Sequence, residues 1–282
     1  MDNHREIQRV LKSKPTMEGA GVHLKRAFGY HDPSLDPFLL LDDFHSDNPE
    51  DYVAGFPWHP HRGIETITYM LHGEVAHGDS LGNKGLIREG DVQWMTAGSG
   101  IIHEEMPHQS QGLLWGFQLW ANLPSSHKMM PPRYRNIKKE QIPQVSISND
   151  VLVRVICGEI GGVKGPVQDI VTNPEYLDVT AHPGSEFNHL VRNGHNVFAY
   201  VIEGEGYFDQ SKDELIGSEH LVIFEDGDRV RIRTENEKVR FLLISGKPIG
   251  EPVAWYGPIV MNTQEELRIA FEEYQNGTFI KH

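Results

Sequence analysis

The chain has 282 residues, 38% of them hydrophobic, a mean hydropathy of −0.44 and a net charge of −14 from 26 basic and 40 acidic side chains. That balance fits a globular protein large enough for two domains or one large barrel. It excludes an electrostatic grip on nucleic acid or on an anionic membrane surface.

The first 15 residues contain no apolar segment of the secretory type. The longest apolar stretch, 112–123, is interrupted by Gln118 and Asn122 and is too short to span a bilayer. The expected location is therefore the cytoplasm, free of membrane. The one cysteine, Cys157, rules out an internal disulfide and fits a reducing compartment; its apolar neighbours 151–156 mark it as a small buried hydrophobe. Asn276-Gly277-Thr278 matches a glycosylation triplet that carries no weight without a secretory route.

Helical periodicity is scarce. Short runs at 65–71, 113–119, 152–156, 199–202, 220–224, 230–232 and 240–244 are rich in Val, Ile, Tyr and Phe, and Gly, Asp, Asn and Pro punctuate them. This is the pattern of a many-stranded β protein. One helix closes the chain. Thr263 with Glu266 three residues on forms a capping box, Leu267, Ala270, Phe271 and Tyr274 follow as an apolar stripe, and Gly277 ends it. The stripe is expected to pack on a barrel.

The β pattern repeats. Tyr69-Met70-Leu71-His72-Gly73-Glu74-Val75 and Tyr200-Val201-Ile202-Glu203-Gly204-Glu205-Gly206 lie 131 residues apart, and a Gly-Asp step follows each (Gly90-Asp91 and Gly227-Asp228). The expected division is a first domain over 1–140 and a second over 141–282 that ends in the helix, with the boundary near the polar stretch 138–150.

Two short segments carry the chemistry: His59-Pro60-His61 and, 42 residues past His61, His103-Glu104-Glu105. In a strand, residues i and i+2 share a face, about 6.5–7 Å apart along the chain. Two neighbouring strands could therefore aim His59, His61, His103 and Glu105 at one point. Three nitrogens and an oxygen suit a divalent transition metal. Glu104 is expected on the opposite face, and His72, His77 and His108 read as structural or solvent-facing. Shifted by 131 residues, the four ligand positions fall on Leu190, Arg192, Thr234 and Asn236, and no H-x-H or H-x-E occurs in the second half. The metal is expected in the first domain only.

With these segments in view the chain resembles the pirin family. The resemblance lies in the run from His59 to Tyr69, in the run from Gly90 to His103 that includes Trp94-Met95-Thr96-Ala97-Gly98-Ser99-Gly100, in Gln118-Leu119-Trp120-Ala121-Asn122-Leu123-Pro124, and in Gly257-Pro258-Ile259-Val260-Met261-Asn262-Thr263. It implies an all-β bicupin, two small β-barrels in one chain with a C-terminal helix. The N-terminal barrel would hold one iron through His59, His61, His103 and Glu105. Typical cupins instead take their carboxylate from a Glu four residues after H-x-H, which here is Glu65. Their second motif also differs, since Thr96 stands where a Pro is usual and His103 follows Gly98 by five residues. Pirin usage favours Glu105 and leaves Glu65 as a hydrogen-bonding or barrel-rim residue.

The resemblance also implies a function. Bacterial pirin-like proteins are associated with quercetin 2,3-dioxygenase activity, the opening of a flavonol ring by dioxygen with loss of carbon monoxide. Glu105 would then be both ligand and the base that takes the flavonol 3-hydroxyl proton. Fe(II) is the first expectation for the metal; Mn, Co, Ni, Cu and Zn suit the same donors. A flavonol-like small molecule is the expected partner, with no direct nucleic acid. Two alternatives stand beside this reading. One is a non-catalytic, iron-dependent transcriptional co-regulator or redox sensor working through protein partners, as mammalian pirins are described. The other is a metal-dependent isomerase or hydrolase that needs only a Lewis acid.

Overall fold

The computed structural model describes residues 3–108, 112–148, 150–211 and 213–282, which fold into two compact all-β units. The expected runs are strands, among them Ile64–His72, Leu114–Asn122, Val151–Cys157, Asn196–Tyr207, His220–Phe224, Arg229–Arg233 and Val239–Gly246. No helix among the described residues is long and apolar enough to cross a membrane.

The unit that carries the candidate ligands comprises Lys14–His31, Phe38–Lys139 and Ile249–His282. Its larger sheet has seven antiparallel strands, with Ile64–His72 hydrogen-bonded between Val92–Thr96 and Leu114–Asn122. Its smaller sheet orders Phe56–His61, Ile101–Pro107, Glu74–Asp79 and Lys84–Arg88. Strand Phe56–His61 lies at the edge of that sheet, where Pro57 and Pro60 cost no ladder hydrogen bond.

The other unit comprises the described residues up to Ser13 together with Asp32–Pro37 and Glu140–Pro248. Its interior is filled by Phe187, Val201, Phe208, Val230, Phe241 and their apolar neighbours. Cys157 is buried there, with its thiol donating to the Pro174 carbonyl. Leu190, Arg192 and Thr234, where the repeat places ligand counterparts, gather no metal-binding group among the described residues.

Contacts divide the chain less simply than a linear boundary at 140, because both ends pack with the unit that is distant in sequence. Strand Ile7–Lys12, expected in the first domain, pairs antiparallel with His220–Phe224 and buries Ile7 in the core of the other unit. Residues 249–282, expected in the second domain, belong with the ligand-bearing unit. There Leu267 and Ala270 of helix Gln264–Gln275 pack with Ala254, Ile259, Met261 and Phe279. The helix begins on the expected capping box, with both Thr263 and Glu266 bonds formed, and Gly277 follows its C-cap at φ +70°. The apolar stripe is narrower than its spacing suggests, since Phe271 is half-buried and Tyr274 is exposed.

Candidate metal centre

Register in the smaller sheet builds the site. His103 lies opposite His59 on one side and Asp79 on the other; Glu105 lies opposite His77, and Ile101 opposite His61. Because strand faces alternate, His59, His61, His77, Asp79, His103 and Glu105 share one face. Glu104 is on the other.

Two turns hold the histidine segments in place. At Gly63 (φ +78°) an added Cβ would collide with the carbonyl oxygen of Val260, and at Gly98 (φ +52°) with that of Met130. Only glycine tolerates both the left-handed backbone and the close approach. The turns are joined by the Gly63 N–H donating to the Gly98 carbonyl at 2.8 Å. Between them Arg62, 2% exposed, donates to the carbonyls of Ser99 and Phe279, pairs with Glu273 at 2.7 Å and stacks on the Phe279 ring. The equally buried Lys128 ammonium donates to Gly63 O, Asn122 Oδ1 and Val260 O, while burial draws its pKa down to about 7.

The imidazoles are oriented by carbonyls. His59 Nδ1 lies 2.8 Å from Pro57 O, and His61 Nδ1 lies 3.1 Å from Pro258 O. A carbonyl only accepts, so each Nδ1 carries the proton and each Nε2 a lone pair. Those two Nε2 atoms are 3.0 Å apart. Two lone pairs facing each other repel unless a cation or a proton lies between them. Two nitrogens each about 2.1 Å from one ion stand this far apart when the angle between them is about 90°. His103 is wholly buried with neither ring nitrogen hydrogen-bonded, an arrangement that is costly without a ligand. Burial, reinforced by the neighbouring imidazoles, holds His61 and His103 well below the ordinary histidine value, so both present neutral rings. The donor set thus fits a divalent transition metal.

Ligand atoms of His59, His61 and His103 lie within 4.8 Å of one another, and so do those of His77, His103 and Glu105. The four expected residues therefore meet at His103 but divide into two overlapping groups. Glu105 is 7% exposed, and its Oε1 accepts from the Thr68 hydroxyl and the Gln93 amide. Glu65 sits apart, buried, accepting from the Thr96 hydroxyl at 2.6 Å, and burial raises its carboxyl above the usual range. His72 and His108 are surface residues paired with Glu89 and Glu74. His77, which its spacing did not set apart, is buried against His103 with 5.4 Å between ring centroids. The missed signal was parity: His77-Gly78-Asp79 repeats the i, i+2 pattern with a carboxylate in place of the second imidazole.

His59, His61 and Glu105 open onto a cavity of about 690 Å³ whose walls include Leu24, Leu40, Phe44 and Trp120, with Arg26 and Asp42 paired in one side. Trp120 also meets His61 edge-on at 5.1 Å. An apolar cleft of this size with a few converging polar groups is the form of a small-molecule site.

Comparison with known proteins agrees with this architecture. The family model described as Pirin matches residues 21–121, and the one described as Pirin C-terminal cupin domain matches 176–280. Pirin-1 of Arabidopsis thaliana is 45% identical over 96% of this chain and 92% of its own length. A pirin-like protein of Caulobacter vibrioides is 43% identical over 98% and 99%. The crystal structure of quercetin 2,3-dioxygenase from Acinetobacter baumannii superposes with a TM-score of 0.91, at 33% identity over 98% of both chains.

Proposed function

The chain belongs to the pirin family, and from that premise we propose that it is a metal-dependent dioxygenase that opens flavonol-type substrates, with the ion held by His59, His61, His103 and Glu105. The observation that carries the proposal is the pair of Nε2 lone pairs 3.0 Å apart beside the unpartnered His103 ring, at the end of an apolar cavity. The similarity to a structure named as a quercetin 2,3-dioxygenase supports the choice of substrate class. Fe(II) is the first choice of metal, with Mn, Co, Ni, Cu and Zn compatible with the donors.

The bound metal would supply Lewis acidity for the substrate oxygen and a meeting point with dioxygen. The chain's own residues do the rest. Leu24, Leu40, Phe44 and Trp120 take the flat aromatic body of the substrate and exclude water. Glu105 receives the proton of the 3-hydroxyl, and the Thr68 and Gln93 donors on its Oε1 hold the carboxylate in place while it does so. Pro57 and Pro258 carbonyls fix the tautomers of His59 and His61.

The test is simultaneous measurement of oxygen uptake and carbon monoxide release by protein reconstituted separately with Fe, Mn, Co, Ni and Cu. At least one form is expected to turn over a flavonol and to leave the matching flavone, which lacks the 3-hydroxyl, untouched. Full metal occupancy with every form inert would overturn the dioxygenase reading and favour the co-regulator.

A further inference from the structure

His77 has no part in the reaction as described, yet it carries the features of a ligand. Its side chain is fully enclosed, and its Nε2 lies 3.1 Å from Asp79 Oδ2. Asp79 also accepts from the backbone N–H groups of Leu81 and Asn83 and from the Asn83 amide. A carboxylate held by so many donors accepts the Nε2–H of His77, which in the neutral ring leaves the lone pair on Nδ1. That Nδ1 is buried and unpartnered. Pairing across the sheet sets His77 opposite Glu105 and Asp79 opposite His103, and the ligand atoms of His77, His103 and Glu105 lie within 4.8 Å of one another. A carboxylate that orients an imidazole whose other nitrogen faces further ligands is how proteins commonly support a metal-binding histidine.

We propose that the metal has two alternative seats in this unit. The outer seat is the shell of His59, His61, His103 and Glu105, and the inner seat exchanges His59 and His61 for His77 Nδ1. The inference rests on the metal reading above and extends it to a ligand outside the H-x-H and H-x-E segments. A neutral imidazole offers an ion one lone pair, so the shared His103 allows one ion at a time. The seats differ in chemistry. The outer seat's additional imidazole adds most to the binding of Ni(II) and Cu(II) and least to that of Mn(II), so Mn(II) gives up least by taking the inner seat. They also differ in access: His59 and His61 line the cavity, and His77 and His103 do not. An ion in the inner seat is withdrawn from the substrate space, so metal identity selects between an exposed and a withdrawn position.

The experiment uses full-length protein and metal binding alone. Anomalous difference maps of wild-type crystals soaked in Mn(II) or in Ni(II) should place Mn beside His77 Nδ1 and Ni beside the Nε2 atoms of His59 and His61. In solution, His77→Gln should weaken Mn(II) binding about tenfold or more and change Ni(II) binding less than twofold. The His59→Ala/His61→Ala double variant should retain one Mn(II) per chain at close to the parent affinity, and adding His77→Gln should remove it. Coincident Mn and Ni peaks at the outer position, or Mn(II) affinity indifferent to His77, would overturn the inner seat and leave the outer one standing. A wild-type protein that binds neither ion would instead overturn the metal reading itself.

Discussion

At the scale of single residues, the sharpest constraint is electrostatic: the Nε2 atoms of His59 and His61 face each other with their protons already committed to carbonyls. In the proposed shell, removing either ring, or that of His103, would remove part of the binding energy of an ion, whereas His108 is an exposed partner of Glu74. His59→Ala, His61→Ala and His103→Ala should each lower Ni(II) affinity at least tenfold by elemental analysis after dialysis, and His108→Ala should leave it unchanged. The carboxylates separate in the same way. Glu105→Gln keeps the shape but loses the base, and the loss of general-base assistance alone costs about 10²–10⁴-fold in turnover. Glu65 is engaged with Thr96, away from the imidazoles, and Glu65→Gln should cost less; the reverse ranking in kcat would move the base to Glu65. H-x-H and H-x-E were legible in the sequence because strand parity puts their members on one face. His77-Gly78-Asp79 carries the same parity, but its meeting with His103 depends on strand Glu74–Asp79 lying on the far side of Ile101–Pro107, and parity alone does not give strand order.

At the scale of elements, most strands were legible from their β-branched and aromatic runs, and the terminal helix from its cap. Thr263→Ala should cost about 1 kcal/mol of stability, read as a shift in the denaturant midpoint. The burial of helix Gln264–Gln275 was less legible, because a stripe predicts which side is apolar and not how completely a neighbour covers it. Arg62 shows what else escapes a pattern-based reading. It follows the H-P-H segment as one charged residue among many, yet its guanidinium gathers two carbonyls, Glu273 and an aromatic face. Arg62→Met strands those acceptors and should cost about 3 kcal/mol or more. Arg62→Lys should recover little of it, since an ammonium cannot serve the separate directions of the guanidinium fork. Urea unfolding of the two variants beside the parent would decide this.

For the molecule as a whole, the assignment of the two ends lay outside what the sequence could show. Ile7–Lys12 alternates too weakly to announce a strand, and its partner His220–Phe224 is more than 200 residues away. Global stability should also carry the mark of a residue remote from the metal. Burial, aided by the positive charges of Arg192, Arg5 and Lys247, brings His195 down to about 4. The unfolded imidazole titrates near 6.5. Between those values the unfolded chain takes up a proton that the folded chain refuses, so stability falls as pH drops from about 6.5 towards 4. Urea titrations of metal-free protein at pH 7 and 4.5 should show a smaller loss for His195→Gln than for the parent; equal losses would remove His195 from the acid limb.

The placement of residues 249–282 with the ligand-bearing unit bears on the order of events during synthesis. When a growing chain has emerged only as far as Pro248, all four expected ligands have been made. The carbonyl of Pro258 that orients His61, the carbonyl of Val260 against which Gly63 packs, and the Glu273 partner of Arg62 have not. A metal held as proposed would therefore find its complete frame only once residues 249–282 have been made. A chain truncated before them would carry the histidines without the frame that aims them.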